Sequence, residues 1–263
     1  MTRNTLTAAD RASLHNSFLR LREAARTAYG DDWWLSQTEL TTLGYEAMVA
    51  EIAERLPRPS EDRQVRILDW GGGPGFLSFL LEELGFTPTY YDLKYEYPSY
   101  RYVLDRLQGE VHYVGEDPVT LPFPEGSFDA VISCGVLEHV PDPVGSLDEI
   151  YRVLKPGGEF FVYHFPNRWS YTEALAGALG HPQHDTRWTK SQLLRTMRNA
   201  HFRIEHFDYR YMVPRNLVQF PKLSRFISRH AHGIYRTDKV IARIPILHMV
   251  ANALNAVAVK PSE

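Results

Sequence analysis

"ILDWGGGPGF", residues 67–76, decides the fold. A short apolar run ends in Asp69, and four glycines and a proline follow it. A loop of this composition stays ordered only where something approaches the main chain so closely that side chains are excluded. Two readings compete for what that is. A dinucleotide fold sets its glycines as G-x-G-x-x-G, the third one letting helix and strand pack closely. Gly71 and Gly73 fit the first two positions, but the third falls on Phe76. The glycines stand instead at 71, 73 and 75, directly after an acidic strand end.

Outward from the loop, strand and helix patterns alternate. "QVRILDW", "FTPTYYDL", "EVHYV", "SFDAVISC" and "EFFVYHF" are β-rich apolar runs. Between them lie helical stretches at 75–84 and 99–107 and one opened by Asp142 and Pro143, on which Val144, Leu147, Tyr151 and Leu154 line one face. "KPGG" turns the chain before the fifth strand, and Thr189 with Gln192 forms a capping box before Leu193, Leu194 and Met197. "FRIEHFDYRYM" and "NAVAVK" read as two further strands. This order predicts a doubly wound α/β fold, whose ligands bind beyond the C-terminal ends of the strands. Ahead of it, Leu14, Phe18, Leu21 and Ala25, then Tyr45, Val49, Ile52 and Leu56, mark two amphipathic helices. The expected organisation is an N-terminal helical cap over 1–60, a core domain over 61–212, a helical insertion over 213–250 and a last core strand over 251–263.

The strand ends carry acids. Asp92 closes the second strand near the offset at which a carboxylate meets ribose hydroxyls, and it would repel a ribose phosphate. Asp117 follows the third strand, where a carboxylate accepts from an adenine amine. Leu93 and Pro118, beside these acids, would sandwich the adenine ring. A single such Asp is most often a solvated loop charge. Three at three successive strand ends point to a nucleoside.

Taken together, "VRILDWGGGPG", "YYDL", "VGEDPVTLPFPEGSFDAVISCGVLEHVPDP" and "EIYRVLKPGGEFFV" resemble the class I S-adenosylmethionine-dependent methyltransferases, in particular the small-molecule branch called methyltransferase type 11. The resemblance covers residues 65–162 nearly continuously. It implies a Rossmann-like, mostly parallel seven-stranded sheet with an antiparallel last strand. It implies S-adenosylmethionine as cofactor and S-adenosylhomocysteine as product. Asp69, Gly71 and Gly73 would surround the methionyl part, Asp92 the ribose and Asp117 the adenine amine. Cys134 would lie beside the cofactor after strand four. Trp70, also in this set, departs from the small or aliphatic residue more usual there, and Glu116 next to Asp117 leaves the adenine acceptor ambiguous by one position. The glycines then admit an amino acid tail and a sulfonium rather than a pyrophosphate.

Methyl transfer is an in-line displacement, and a base is needed only where the acceptor must lose a proton. The candidates are His139 in "LEHVPDP", His164 at the end of strand five and His184 in "GHPQHDTRW". Structural roles compete with catalysis at each. His181 and His184, three residues apart, suggest a metal pair, but no further acidic or cysteine ligands are expected to cluster with them, and no metal site is expected. Trp33, Trp34 and Tyr45 form an aromatic group that either borders the acceptor or fills a helical subdomain, with Tyr45 expected to be buried. The expected acceptor is a small molecule methylated on oxygen or nitrogen, with carbon less favoured. The fifteen tyrosines and five tryptophans lean toward an aromatic or partly apolar one.

Rival readings are an NAD(P)-dependent oxidoreductase, which Phe76 and the lack of a Tyr-x-x-x-Lys pair disfavour, and a non-catalytic binding protein with the same fold. A net charge of −3 offers no general field for nucleic acid, and "SCGV" lacks the Asp/Asn-Pro-Pro-aromatic arrangement of base amino-methylating enzymes. The single cysteine forbids an intrachain disulfide and fits a reducing, cytoplasmic setting. The N-terminal sequence reads as no secretory signal. The apolar C-terminal stretch, broken by Arg243, Pro245 and His248, makes a poor membrane span. In the insertion, Arg215, Lys222, Arg225, Arg229, Arg236, Lys239 and Arg243 face Asp238 alone, with Leu217, Phe220, Leu223 and Ile227 interleaved. A solvated basic face is the plainer expectation, and an anionic surface partner over 213–243 the sharper one.

Overall fold

The structure is a computed structural model and describes residues 5–30, 39–178, 180, 184–214 and 221–262. Trp33, Trp34, His181, Arg215, Leu217 and Phe220 lie outside the described residues. The elements are α1 (Ala8–Tyr29), α2 (Glu39–Arg55), β1 (Ile67–Trp70), α3 (Phe76–Glu82), β2 (Thr89–Asp92), α4 (Pro98–Leu104), β3 (Val111–Tyr113), β4 (Phe128–Cys134), α5 (Pro143–Val153), β5 (Leu154–Pro166), α6 (Tyr171–Ala178), α7 (Lys190–Asn199), β6 (Arg203–Arg210), α8 (Pro221–Arg229), α9 (Ala231–Ile241) and β7 (Ala253–Val259). The seven strands form one sheet in the order β3-β2-β1-β4-β5-β7-β6. β1 pairs parallel with β2, β2 with β3, and β4 with β5, whereas β7 runs antiparallel to both β5 and β6. The expected Rossmann-like sheet with an antiparallel last strand is the one observed.

The chain divides into two compact units. The first comprises Met1–Tyr113 and Arg215–Tyr235. Here Thr7 caps α1 in a capping box with Asp10, and Gly30 ends the helix at φ 79°. Leu14, Phe18, Leu21 and Ala25 are buried, as their spacing predicts. Phe76, at the position where a dinucleotide loop needs its third glycine, is buried and sits edge-on to Phe18 (5.0 Å between centroids) and to Tyr45 (5.7 Å). That ring therefore fastens α1 and α2 to α3. Tyr45, expected to be buried, is half-buried.

The second unit comprises Val114–Pro214 and Arg236–Glu263. Apart from Asp129 and Ser133, and with Cys134 partly exposed, β4 is apolar and buried like the central part of β5, as strands covered on both faces must be. Asp142 caps α5 by accepting from the Val144 and Gly145 N–H groups. The buried face of α5 is Leu147, Ile150 and Val153. Val144, expected on that face, is exposed, and Leu154 already belongs to β5, because the first turn is spent on the cap. "KPGG" is not a turn outside the strand. β5 carries it as an irregularity between the Phe128–Leu154 and Ala130–Glu159 pairs. Gly157 N–H donates to Lys260 O (2.7 Å) and Lys260 N–H donates to Gly158 O (3.0 Å), so the segment keeps β-type partners. The capping box of Thr189 and Gln192 opens α7 as expected, over buried Leu193, Leu194 and Met197. Asp238 is no surface counter-charge to the basic insertion: it is buried, and its Oδ1 accepts from Val213 N–H at 2.7 Å.

Candidate active site

In the first unit the loop 71–75 joins β1 to α3 and is built by its neighbours. Gly71 N–H extends the ladder to Tyr91 O (2.7 Å), and Gly75 N–H closes a turn on Gly72 O (2.9 Å). Tyr90, fully buried on β2, sends its hydroxyl to Gly73 O at 2.8 Å. Its ring lies where a side chain on residue 72 would begin: a Cβ there would stand 2.5 Å from Tyr90 Cε2. Gly73 needs its φ of 53° and has open space around it. Asp92, at the end of β2, accepts from Gly73 N–H through Oδ2 (2.7 Å) and from Leu93 N–H through Oδ1 (2.6 Å). Burial raises the Asp92 carboxyl, and those hydrogen bonds oppose the rise. Trp70 is buried, whereas Leu93 is 52% exposed.

Asp69 is buried and accepts from Ser78 Oγ at 2.7 Å. Burial pushes its carboxyl up to about 6, opposed by Ser78 and aided by the charge of Asp92. The sign of the linkage follows. Between about pH 4 and pH 6 the folded chain keeps a proton that the unfolded chain has released. The stability this group contributes is full below that window and is lost as pH rises through it, on the order of 2–3 kcal/mol. Asp69→Asn should remove that slope. Urea midpoints of wild type and variant at pH 4 and pH 7 check it, and parallel profiles would refute it.

In the second unit Asp117 is fully exposed and caps its own turn, its Oδ1 accepting from Val119 N–H (2.8 Å) and Thr120 N–H (3.3 Å). Hydrogen bonds, the Thr120 hydroxyl first, hold its carboxyl below the usual range. Pro118 beside it is exposed. Cys134 ends β4 and lies 3.7 Å, Sγ to Nδ1, from His164. His164 has φ 60°, uncommon for a side chain of its size, where β5 breaks register with β7 between Val162 and Phe165. Its N–H donates to Asn255 Oδ1 (3.0 Å), and its Nε2 lies 2.6 Å from the Tyr211 hydroxyl. Both ring nitrogens thus have neighbours within the unit. Tyr211 and Asn255 come from distant elements, and no local pattern in sequence announces them.

The other two histidines come together. The rings of His139 and His184 stand 5.8 Å apart, and Glu138 joins them: one ligand atom from each of the three lies within 4.8 Å of the others. His139 is exposed, and its imidazole is held below its usual range by burial of part of the ring and by His184. The Glu138 side chain is 2% exposed, its Oε2 has no hydrogen-bond partner among the described residues, and burial pushes the carboxyl up to about 8. His184 Nδ1 lies 2.8 Å from Oε1 of the buried Glu173, the third residue of α6. The expectation that no acid clusters with His184 is therefore corrected: Glu138 and Glu173 both do, brought by chain segments that sequence proximity does not link.

The sheet order and its antiparallel β7 define the Rossmann-like methyltransferase fold. Residues 68–162 match the family model described as methyltransferase domain. The chain is 34% identical over 113 residues to the ubiquinone/menaquinone biosynthesis C-methyltransferase UbiE of Methylobacterium nodulans, covering 41% of this chain and 45% of that one. It is 46% identical over 63 residues to the sterol 24-C-methyltransferase erg-4 of Neurospora crassa, covering 24% and 17%. The chain spans less than half the length of the curated relatives it matches. Among solved structures it is similar in fold to the 1,6-didemethyltoxoflavin-N1-methyltransferase of Burkholderia thailandensis with bound 1,6-didemethyltoxoflavin and S-adenosylhomocysteine, at a TM-score of 0.52 and 20% identity, covering 95% of this chain and 88% of that one. No helix among the described residues is long and apolar enough to cross a membrane.

Proposed function

We propose that this chain transfers the methyl group of S-adenosylmethionine to a small molecule. The observation that carries the reading is the loop 71–75 held open at Gly73 by Asp92, inside a matched methyltransferase domain. Gly71, Gly73 and Trp70 line the methionyl part through their main chain. Asp69, buried and reluctant to ionise, gains a cationic neighbour when the cofactor's amino group and sulfonium arrive, which favours its charged form. Asp92 offers its carboxylate oxygens to the ribose hydroxyls, and Leu93 offers an exposed apolar side chain to the base. Asp117 and Pro118 serve the adenine edge, and Cys134 the sulfur side.

The sulfonium already activates the methyl group, so the protein supplies alignment and exclusion of water, worth about 7–11 kcal/mol in favourable systems. The relatives named above are called C-methyltransferases, which raises carbon beside oxygen and nitrogen as the accepting atom. His139, His164 and His184 are the groups offered for proton handling. His164 positions Tyr211 and Cys134 through its ring nitrogens, and His139 and His184 stand as a neighbouring pair. The setting proposed is cytoplasmic and the partner a small-molecule acceptor.

The test is thermal unfolding with S-adenosylhomocysteine, NAD and NADP in parallel. A ligand at a hundredfold excess over its dissociation constant adds about 2.7 kcal/mol. S-adenosylhomocysteine alone should raise the midpoint. A shift with NAD or NADP, and none with S-adenosylhomocysteine, would sink the reading.

A further inference from the structure

We propose that Glu138, His139 and His184 bind one zinc-type divalent cation, with Glu173 as the residue that sets the His184 ring for it. Two imidazoles and one carboxylate are a donor set that zinc accepts in open, four-coordinate sites. Their ligand atoms already stand within 4.8 Å of one another, against roughly 3.3 Å on a tetrahedral zinc, so short side-chain rotations close the cage.

Two independent observations support a cation over a chance cluster. Oε2 of Glu138 is buried without a hydrogen-bond donor among the described residues, an arrangement that costs free energy and that a metal bond would relieve. Glu173 Oε1 lies 2.8 Å from His184 Nδ1, so the carboxylate accepts the Nδ1–H hydrogen bond and leaves Nε2 for the cation. Metal-ligating histidines almost always carry such a carboxylate or carbonyl on their other nitrogen. The local chain holds the set in place. His139 N–H turns back to Val136 O (2.8 Å), so Glu138 and His139 sit in one tight turn after β4, and Glu173 N–H is capped by Ser170 Oγ (3.2 Å). His139 is exposed, which leaves one side of the set accessible to an outside ligand.

This inference rests on the methyltransferase reading and narrows its substrate. The accessible position takes a hydroxyl oxygen of the acceptor. The cation lowers that hydroxyl's pKa, and its proton goes to water. An oxygen lone pair of the resulting phenolate or enolate forms a bond to the methyl carbon. The carbon–sulfur bond breaks with its electron pair to sulfur, giving neutral thioether. The substrate class is thus a phenol or an enolisable hydroxyl compound.

The experiment uses the full chain without a histidine tag, stripped of metal and titrated with Zn2+ and with Co2+. The expected result is one Zn2+ per chain and a tetrahedral Co2+ spectrum. Glu138→Gln, His139→Ala and His184→Ala should each weaken Zn2+ at least tenfold, and Glu173→Gln by about 10–100-fold. His139 is exposed, so that variant tests the site even where Glu138→Gln fails to fold. The S-adenosylhomocysteine affinity of folded variants, read in the same samples, should stay within about twofold, which separates this site from the cofactor site. Wild type that takes up no Zn2+, variants that bind it unchanged, or a preference for Mg2+ would each overturn the proposal. Loss of S-adenosylhomocysteine binding by wild type would instead overturn the methyltransferase reading.

Discussion

Asp92→Ala should weaken S-adenosylhomocysteine binding by on the order of a hundredfold or more, measured by calorimetry. Two effects add. The carboxylate that would accept the ribose hydroxyls is gone, and hydrogen bonds to a charged group are worth about 1.5–3 kcal/mol each. The brace on the loop goes with it, because Gly73 N–H and Leu93 N–H lose their acceptors. The second effect makes the variant less stable as well, by about 1–3 kcal/mol for donors left without a partner. Asp92→Asn separates the two. Its amide oxygen still accepts one N–H, so part of the stability returns, while the charge for the ribose does not. An alanine variant that binds with wild-type affinity would remove Asp92 from the site.

Gly72→Val should be the most destabilising change in the loop, and Gly73→Ala a mild one, although the two glycines are adjacent. At position 72 the first added carbon meets the Tyr90 ring at 2.5 and 2.6 Å and Asp69 Oδ2 at 3.0 Å. The ring cannot yield: it is fully buried on β2, and its hydroxyl is tied to Gly73 O. Overpacking of this kind costs about 1–3 kcal/mol for a small intrusion and more for a branched one. At position 73 no atom stands within 4 Å of an added carbon. Only the left-handed φ opposes alanine, at about 1–2 kcal/mol. Urea melts of the two variants rank them. Gly73→Ala as the worse variant would contradict the packing described here.

The strands and long helices were legible because their signals are local. Period-two and period-3.6 patterns with caps at Asp142 and Thr189 placed α5, α7 and the sheet, and the 71–75 loop announced itself by composition. What escaped depends on contacts far apart in sequence. A Val at 144 looks like core until the cap uses its main chain. Nothing in "LEHVPDP" says that the carboxylate of Glu138 is buried while the adjacent imidazole is not. The pairing of His164 with Tyr211 spans 47 residues, and that of His184 with Glu173 joins a loop to a helix. One faint signal existed: Glu173 is the lone acid in "YTEALAGA", an otherwise uncharged helix.

Phe76 has a consequence for how this chain can change over time. One ring both keeps the loop off the dinucleotide pattern and knots the leading helices to the core. A drift to glycine there would move the sequence toward another cofactor's signature while untying the segment ahead of it. The two alternatives are not separated by a single neutral step, and the choice of cofactor is in that sense locked by carpentry rather than by chemistry.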